Sequence, residues 1–402
     1  MKVALVNTYA HGGAGIACRR LQTALQTQGL ETAILYRDTH GSKWPFYAER
    51  LSFLPYEHDK SVRFSYSLAN FGTDISQHPD IKSADIIHLH WINQGFLSLK
   101  NIQQLAATGK PIFWTLHDMW AFTGGCHYAR GCTHYLQSCG NCPYLRAPNE
   151  NDLSNRIWKR KQSYFPPNIH FITCSEWLAQ EARNSGLLRN FHIQSIPNPI
   201  DTAIFAPITQ AQRISIRTQL GISPAAHLLL FVAMKVSEER KGFKYLLEAL
   251  QYLKKEYPNQ VYEVLVLGKA DAAAIDQLPY PTHTLGMVTD IVALSQWYAV
   301  ADVFIIPSLE DNLPNTVMES LACGTPVVGF QTGGIPEMVD DAQNGYIVPQ
   351  RDSAGLGKSI FQVLSSHDRL AAFRTAAREK VLRAYTLDVI SKRYLDAYQK
   401  AL

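Results

Sequence analysis

The most telling chemistry in this sequence lies in 307–319, Pro-Ser-Leu-Glu-Asp-Asn-Leu-Pro-Asn-Thr-Val-Met-Glu. It follows a strand-length apolar run, Val303–Ile306, and leads into a helical pattern over 316–323. That order puts the loop at the carboxyl end of a strand, where open α/β sheets take their ligands. The main-chain N–H groups of Asn315, Thr316 and Val317 then open a helix toward that crevice, a favourable place for phosphate. Pro314 suits the first helical turn, where its missing N–H costs nothing. Asp311 and Glu319 are eight residues apart, one before the helix and one about a turn into it. Two carboxylates so placed can hold two ends of one polar ligand, although an acidic helix entry favoured by the helix dipole has the same pattern.

A second constellation is Cys126-x5-Cys132-x6-Cys139-x2-Cys142 in a glycine-rich stretch, 124–145, of little apolar content. Only the last pair has the close spacing common in zinc sites. Three readings stand: a structural zinc staple, free thiols or a redox pair, and an iron–sulfur cluster; His127 and His134 are substitute ligands. Cys18, Cys174 and Cys323 stand alone in apolar surroundings and read as small buried side chains. Seven cysteines, an odd number, fit a reducing compartment better than a disulfide framework. His117-Asp118 falls at the end of a strand pattern, 111–116, and His88 and His90 alternate along another, 85–90. Gly12-Gly13-Ala14-Gly15 lies between strand and helix patterns; it is no Gly-x-Gly-x-x-Gly fingerprint and reads by itself as a tight turn. The basic, aromatic-bearing 155–161 could touch an anionic membrane or a lipid diphosphate, or be a solvated helix face.

The elements that must position these residues come in two series. Apolar strand patterns at 3–6, 85–90, 111–116 and 169–174 alternate with helices, one of them capped by Ser175. After Pro197-Asn198-Pro199 a second series follows, with strands at 228–233, 262–267, 303–306, 325–330 and 345–348 and helices at 243–256, 291–299 and 316–323. Such alternation predicts parallel, doubly wound sheets. The pattern over 41–79 is too poor to place. A final helix, 387–402, follows no strand. The chain of 402 residues has room for two or three domains. It is 46% apolar and carries 38 basic against 34 acidic side chains, a balance of +4 that argues against a nucleic-acid binder. No apolar run reaches the roughly 18 residues of a membrane span. The start, Met-Lys-Val-Ala-Leu-Val-Asn, lacks the features of a signal peptide, so the expected location is cytoplasmic.

Pro-Ser-x-x-acid-x7-Glu, followed by Ser320-Leu321-Ala322-Cys323-Gly324-Thr325-Pro326-Val327-Val328, resembles the donor-site signature of the family-4 retaining glycosyltransferases of GT-B fold. Asp311 stands where that family has its first glutamate, and Asn312-Leu313-Pro314 replaces the usual Gly-Phe-Gly. Gly333-Gly334-Ile335-Pro336-Glu337 and Ala301-Asp302-Val303 resemble two further family steps, 286–290 the loop around the nucleotide base, and 197–201 the end of the first domain. The resemblance implies two Rossmann-like domains facing across a cleft: 1–200 on the acceptor side, bearing the cysteine stretch, and 201–386 on the donor side. The helix 387–402 would pack back on the first. It also implies roles. Lys241 matches the family's phosphate-binding lysine, with Lys235 or Arg240 standing in for a displaced arginine. His117 matches a histidine beside the transferred sugar. Gly13, Val288, Asn315, Thr316, Val317 and Glu319 complete the donor-binding set, with His117, Asp311, Lys241 and Glu319 as catalytic residues.

The implied activity is retaining transfer of a hexose-type sugar from a nucleotide-diphosphate sugar, UDP- or GDP-linked. The implied acceptor is a glycan or lipid-linked molecule of bacterial surface polysaccharide assembly, reached at the inner face of the membrane. No Asp-x-Asp occurs, so fixed cations and a helix terminus, not a catalytic metal, are expected to stabilise the leaving diphosphate. An epimerase or phosphorylase-like enzyme of the same fold, or a non-catalytic nucleotide-sugar-binding protein, are the alternatives.

Overall fold

The computed structural model describes all 402 residues, and they divide into two compact units. Unit 1 comprises Met1–Pro199 and Ile390–Leu402; unit 2 comprises Ile200–Val389.

Unit 1 runs β1 (Lys2–Asn7), α1 (Gly12–Thr27), β2 (Glu31–Tyr36), α2 (Arg37–His40), α3 (Trp44–Phe53), α4 (Pro79–Ser83), β3 (Ile86–Leu89), α5 (Leu99–Ala106), β4 (Ile112–Leu116), α6 (Leu153–Tyr164), β5 (Ile169–Thr173), α7 (Glu176–Asn184) and β6 (Ile193–Ser195). Its six strands are parallel in the order β2-β1-β3-β4-β5-β6. The inner strands are apolar on both faces because helices cover both; Val3–Val6 and Ile112 are fully buried. Local signals set the helices: Ser175 accepts from the Leu178 N–H, and Asp152 accepts from those of Ser154 and Asn155. The unplaced stretch 41–79 holds α3, one turn of 3-10 helix and otherwise irregular chain.

Unit 2 runs α8 (Gln210–Gln219), β7 (His227–Lys235), α9 (Phe243–Glu256), β8 (Tyr262–Lys269), α10 (Ala272–Ile275), β9 (Thr282–Thr284), α11 (Ile291–Val300), β10 (Val303–Ile306), α12 (Asn315–Ala322), β11 (Val327–Phe330), α13 (Ile335–Met338), β12 (Gly345–Val348), α14 (Ser353–Val363) and α15 (His367–Ala384). Its six strands, again all parallel, are ordered β12-β11-β10-β7-β8-β9. The order reverses between β7 and β10, so the loops leaving these two strands diverge to opposite faces and open a crevice. In unit 1 the reversal falls between β1 and β3.

The last helix, α16 (Leu387–Gln399), returns to unit 1. Its Ile390, Tyr394, Ala397 and Tyr398 are buried among Val3, Leu5, Cys18, Phe113 and Ile172. No helix of the chain is long and apolar enough to cross a membrane.

Candidate active site

The unit 2 site forms where its sheet reverses. The loop after β7 carries Arg240 and Lys241; the loop after β10 carries Asp311. Lys241 Nζ donates to Asp311 Oδ2 at 2.7 Å, and Arg240 Nη1 donates to Asp311 Oδ1 at 3.2 Å and to the Glu310 carbonyl at 2.9 Å. A main-chain bond from the Leu309 N–H to the Arg240 carbonyl, 2.8 Å, splices the two loops together. Asp311 is only 8% exposed. Burial alone would raise its carboxyl, but the Lys241 ammonium and Arg240 guanidinium outweigh it and hold the group below its ordinary value.

Two glycines make the close approach of these loops feasible. Gly242 sits at φ +71°, where a Cβ would stand 1.9 Å from the Pro307 carbonyl oxygen. Gly333, at φ +52°, would put a Cβ 1.8 Å from that of Asp311. Any side chain there would push the loop, and with it the carboxylate, out of place.

Glu319 lies in the second turn of α12 and is 4% exposed. Asn315 and Thr316, half-buried, begin the same helix. Two expectations for this helix change. Pro314 is the residue before the helix, extended at ψ 122°, and not in its first turn. Its carbonyl accepts the Val317 N–H at 3.1 Å, which removes Val317 from the expected trio of phosphate donors. Val288, half-buried, lies between β9 and α11 in a stretch tied to the end of β8 by the Gly268 N–H donating to the Gly286 carbonyl at 2.7 Å. Lys235 ends β7, is exposed, and makes no ion pair with Asp311; of the two stand-in cations, Arg240 is the one that reaches it.

In unit 1, His117 follows β4 and is part of a column of imidazoles. His88 stacks on His90 with centroids 4.6 Å apart, and His90 on His117 at 5.3 Å. His90 Nδ1 and His117 Nε2 share a hydrogen bond of 3.0 Å. His88 closes the column against Thr115 at 2.8 Å and the Tyr398 hydroxyl of α16 at 2.5 Å. Burial pushes His117 down to about 4, against a weaker opposing pull from Asp118, so it is a neutral hydrogen-bonding group at neutral pH. Asp118 faces inward: it accepts from Trp91 Nε1 (2.8 Å) and the Trp120 N–H (2.8 Å) and bonds His127 Nδ1 (2.6 Å). Alternation along the strand does not single out His90 from the sequence, because it says which face a side chain takes but not which residue it meets there.

Gly13 lies in the first turn of α1, which begins at Gly12, earlier than the glycine run suggests. Gly15 is the sterically demanding member, since a Cβ would come within 2.5 Å of the Tyr9 carbonyl oxygen. The basic segment 155–161 is no open face: on α6, Asn155, Ile157, Trp158 and Lys161 are buried. Cys126, Cys132, Cys139 and Cys142 line one cavity of about 20 Å³ and are unpaired, but as placed no three His, Cys, Asp or Glu side chains form a ready group for a metal ion.

Residues 11–204 match the model of the Glycosyltransferase Family 4 domain, and residues 226–366 that of the Glycosyl transferases group 1 domain. A D-inositol 3-phosphate glycosyltransferase of Xylanimonas cellulosilytica is 28% identical over 222 residues, 52% of this chain and 51% of that protein. An alpha-maltose-1-phosphate synthase of Mycolicibacterium smegmatis is 24% identical over 225 residues, 52% and 57% of the two. The chain thus spans about half the length of the curated relatives it matches. Among solved structures, a glycosyltransferase from Rickettsia africae superposes over 100% of this chain and 98% of its own, with a TM-score of 0.69 at 16% identity. Anabaena Alr3699/HepE in complex with UDP-glucose does so over the full length of both, with a TM-score of 0.64 at 15% identity. These likenesses fix the fold as GT-B. On that fold the chain carries a Glycosyltransferase Family 4 domain over 11–204, followed by a Glycosyl transferases group 1 domain over 226–366.

Proposed function

We propose that this protein transfers a hexose, with retention of anomeric configuration, from a UDP- or GDP-linked sugar to a glycan or lipid-linked acceptor of bacterial surface polysaccharide. The observation that carries the reading is the Lys241–Asp311–Arg240 cluster at the strand-order reversal of unit 2, with Glu319 buried one helix further on. A buried carboxylate bridging two cations is a site with exchangeable charge. A donor diphosphate can take over Lys241 and Arg240 as point and forked donors. Asp311 is then released toward the sugar hydroxyls, and Glu319 takes the ribose hydroxyls. The α12 start, at Asn315 and Thr316, adds positive potential for the leaving phosphate. Val288 borders the base. On the acceptor side, His117, neutral and held by His90 and Cys174, borders the transferred sugar without bringing a charge, and Gly13 keeps the α1 start open.

A resident catalytic metal is not part of this reading, because cations of the chain itself counter the diphosphate. Membrane contact is assigned to α3, not to 155–161. Trp44, Tyr47 and Leu51 form an exposed stripe along it, each at least 59% exposed, with Phe64 beside them under Arg50 and Lys43 at the helix start. Aromatic side chains flanked by cations suit an anionic bilayer surface.

The test is a thermal-shift screen of UDP-, GDP-, ADP- and dTDP-sugars on the full chain, then product analysis. Glu319→Gln should weaken nucleotide binding, and Asp311→Asn should chiefly lower turnover. Turnover should survive brief EDTA treatment. Full donor binding and turnover in both variants would overturn the site; an epimerised donor, or none consumed, would select an alternative activity. Flotation with anionic vesicles, lost in Leu51→Asp, tests the α3 contact.

A further inference from the structure

The stretch from Thr123 to Asp152 contains no α-helix and no strand, only one turn of 3-10 helix, yet it packs into the core of unit 1. Cys126, Cys132, Cys139 and Cys142, far apart along it, all line one cavity of about 20 Å³, room for a single atom-sized guest. Backbone geometry aims the last pair. Cys139, Gly140 and Asn141 have φ of +53°, +112° and +49°, and the Gly140 carbonyl is bonded to His134 Nδ1 at 2.7 Å. Two non-glycine residues in that region cost about 1–3 kcal/mol each unless the surroundings enforce them. Main-chain donors point at the sulfurs: the Gly124 N–H reaches Cys139 Sγ at 3.1 Å, and that of Tyr144 reaches Cys142.

An independent observation concerns Lys161. Its side chain is fully buried; the ammonium donates to the Trp120 and Thr123 carbonyls and lies 3.5 Å from the centroid of the Trp120 ring. It makes no ion pair with a carboxylate. Burial pushes Lys161 down to about 7, and the groups near enough to oppose that are Cys139, Cys126 and, less, Asp118. A buried ammonium calls for a nearby anion, and four neutral thiols do not supply one.

We propose that Cys126, Cys132, Cys139 and Cys142 bind one Zn²⁺ as a structural tetrathiolate, with buried Lys161 as its counter-charge. Four thiolates on a dication leave a net charge of −2, and each thiol gives up its proton on binding. The sulfurs as placed do not yet form a three-ligand group, so binding draws them inward by rotation of the cysteine side chains. Tetrahedral sulfur coordination suits zinc. The ion staples a segment that has no helix or strand ladder to hold it, and takes no part in sugar transfer.

The test uses the full chain purified without chelator or metal-affinity resin. Element analysis should find about one zinc per chain, released stoichiometrically by an organomercurial. Cobalt substitution should give the thiolate-to-metal charge-transfer band and the intense ligand-field bands of a tetrahedral sulfur site. Cys142→Ser should lose the ion, whereas Cys323→Ser, outside the cluster, should keep it. Should Cys142→Ser fail to fold, the cobalt spectrum of the unaltered chain still decides. Lys161→Met should retain stoichiometric zinc but lose it to a competing chelator at least tenfold faster. Four rapidly titrating thiols with no bound metal, a cobalt spectrum without the charge-transfer band, or iron–sulfur absorbance would each overturn the proposal.

Discussion

Replacing Asp302 by asparagine should destabilise unit 2 out of proportion to the size of the change. Asp302 opens β10 and is 5% exposed. Its carboxylate accepts from Arg213 (2.6 Å), Arg374 (3.0 Å), Arg217 and the Leu228 N–H (2.8 Å), and so joins α8 and α15 to the edge where β7 meets β10. Burial pushes this carboxyl up, but the three guanidiniums outweigh it and hold it well below the carboxylate range. The substituted amide would keep the shape and leave three cations converging on a neutral group. Removing one partner of a buried ion pair costs about 3–5 kcal/mol. The guanidinium side chains are 12–23% exposed, so water relieves part of the repulsion and about 3 kcal/mol is expected. In a unit of this size that is a fall of roughly 6–12 °C in melting temperature. Calorimetry of the full chain would measure it, with hydrogen exchange of β7 and β10 amides assigning the transition to unit 2. The sign with pH is fixed as well. The folded value lies below the unfolded one, near 3.9, so the stabilisation is present above about pH 4 and lost as pH falls toward the folded value. Asp302→Asn should abolish that part of the acid limb. The control is Asp340→Asn, which breaks a 2.7 Å bond to Lys380 at a side chain 32% exposed and should cost under about 1 kcal/mol. A shift in Asp302→Asn no larger than in the control would refute the reasoning.

Gly333→Ala should leave unit 2 folded but displace Asp311, lowering kcat roughly a hundredfold; steady-state kinetics with unchanged circular dichroism would show it, and wild-type kcat would reject the steric argument. His88, His90 and His117 are all held below the ordinary histidine value by burial, so the unfolded chain binds more protons, and unit 1 should weaken as pH falls below about 6.5. Denaturant midpoints at pH 7 and pH 5 test this, with His90→Asn expected to shrink the difference. Tyr398→Phe leaves buried His88 Nδ1 without its partner and should cost unit 1 about 1–3 kcal/mol; an unchanged midpoint would show the bond to be idle.

The donor side was largely legible because its signals are local. Strand, loop and helix around Asp311, and the helix start at Phe243 after Lys241, follow from patterns within a few residues. Misreadings came where long-range packing decides. In 155–161 the composition suggests a wet basic face, yet Trp158 and Lys161 are buried by residues distant in sequence, Lys161 bonding carbonyls 38 and 41 residues away. The short edge strands β6 and β9, three residues each, escaped because a ladder of that length is set by its neighbour and not by its own alternation. The imidazole column was invisible in outline: His88 meets Tyr398 across 310 residues.

The placement of α16 has a consequence for the order in which the chain can be made. Unit 2 is one uninterrupted segment, whereas unit 1 lacks Ile390, Tyr394 and Tyr398 until all of unit 2 has been synthesised. Domains generally fold in the order they leave the ribosome, but here the unit that emerges first is finished last. Until then its sheet face at Val3, Leu5 and Phe113 has no cover, and His88 lacks its Tyr398 partner. The nascent first half is therefore the aggregation-exposed and chaperone-dependent species. A chain terminated before α16 should be cleared by proteolysis even though every residue of both families of strands is present.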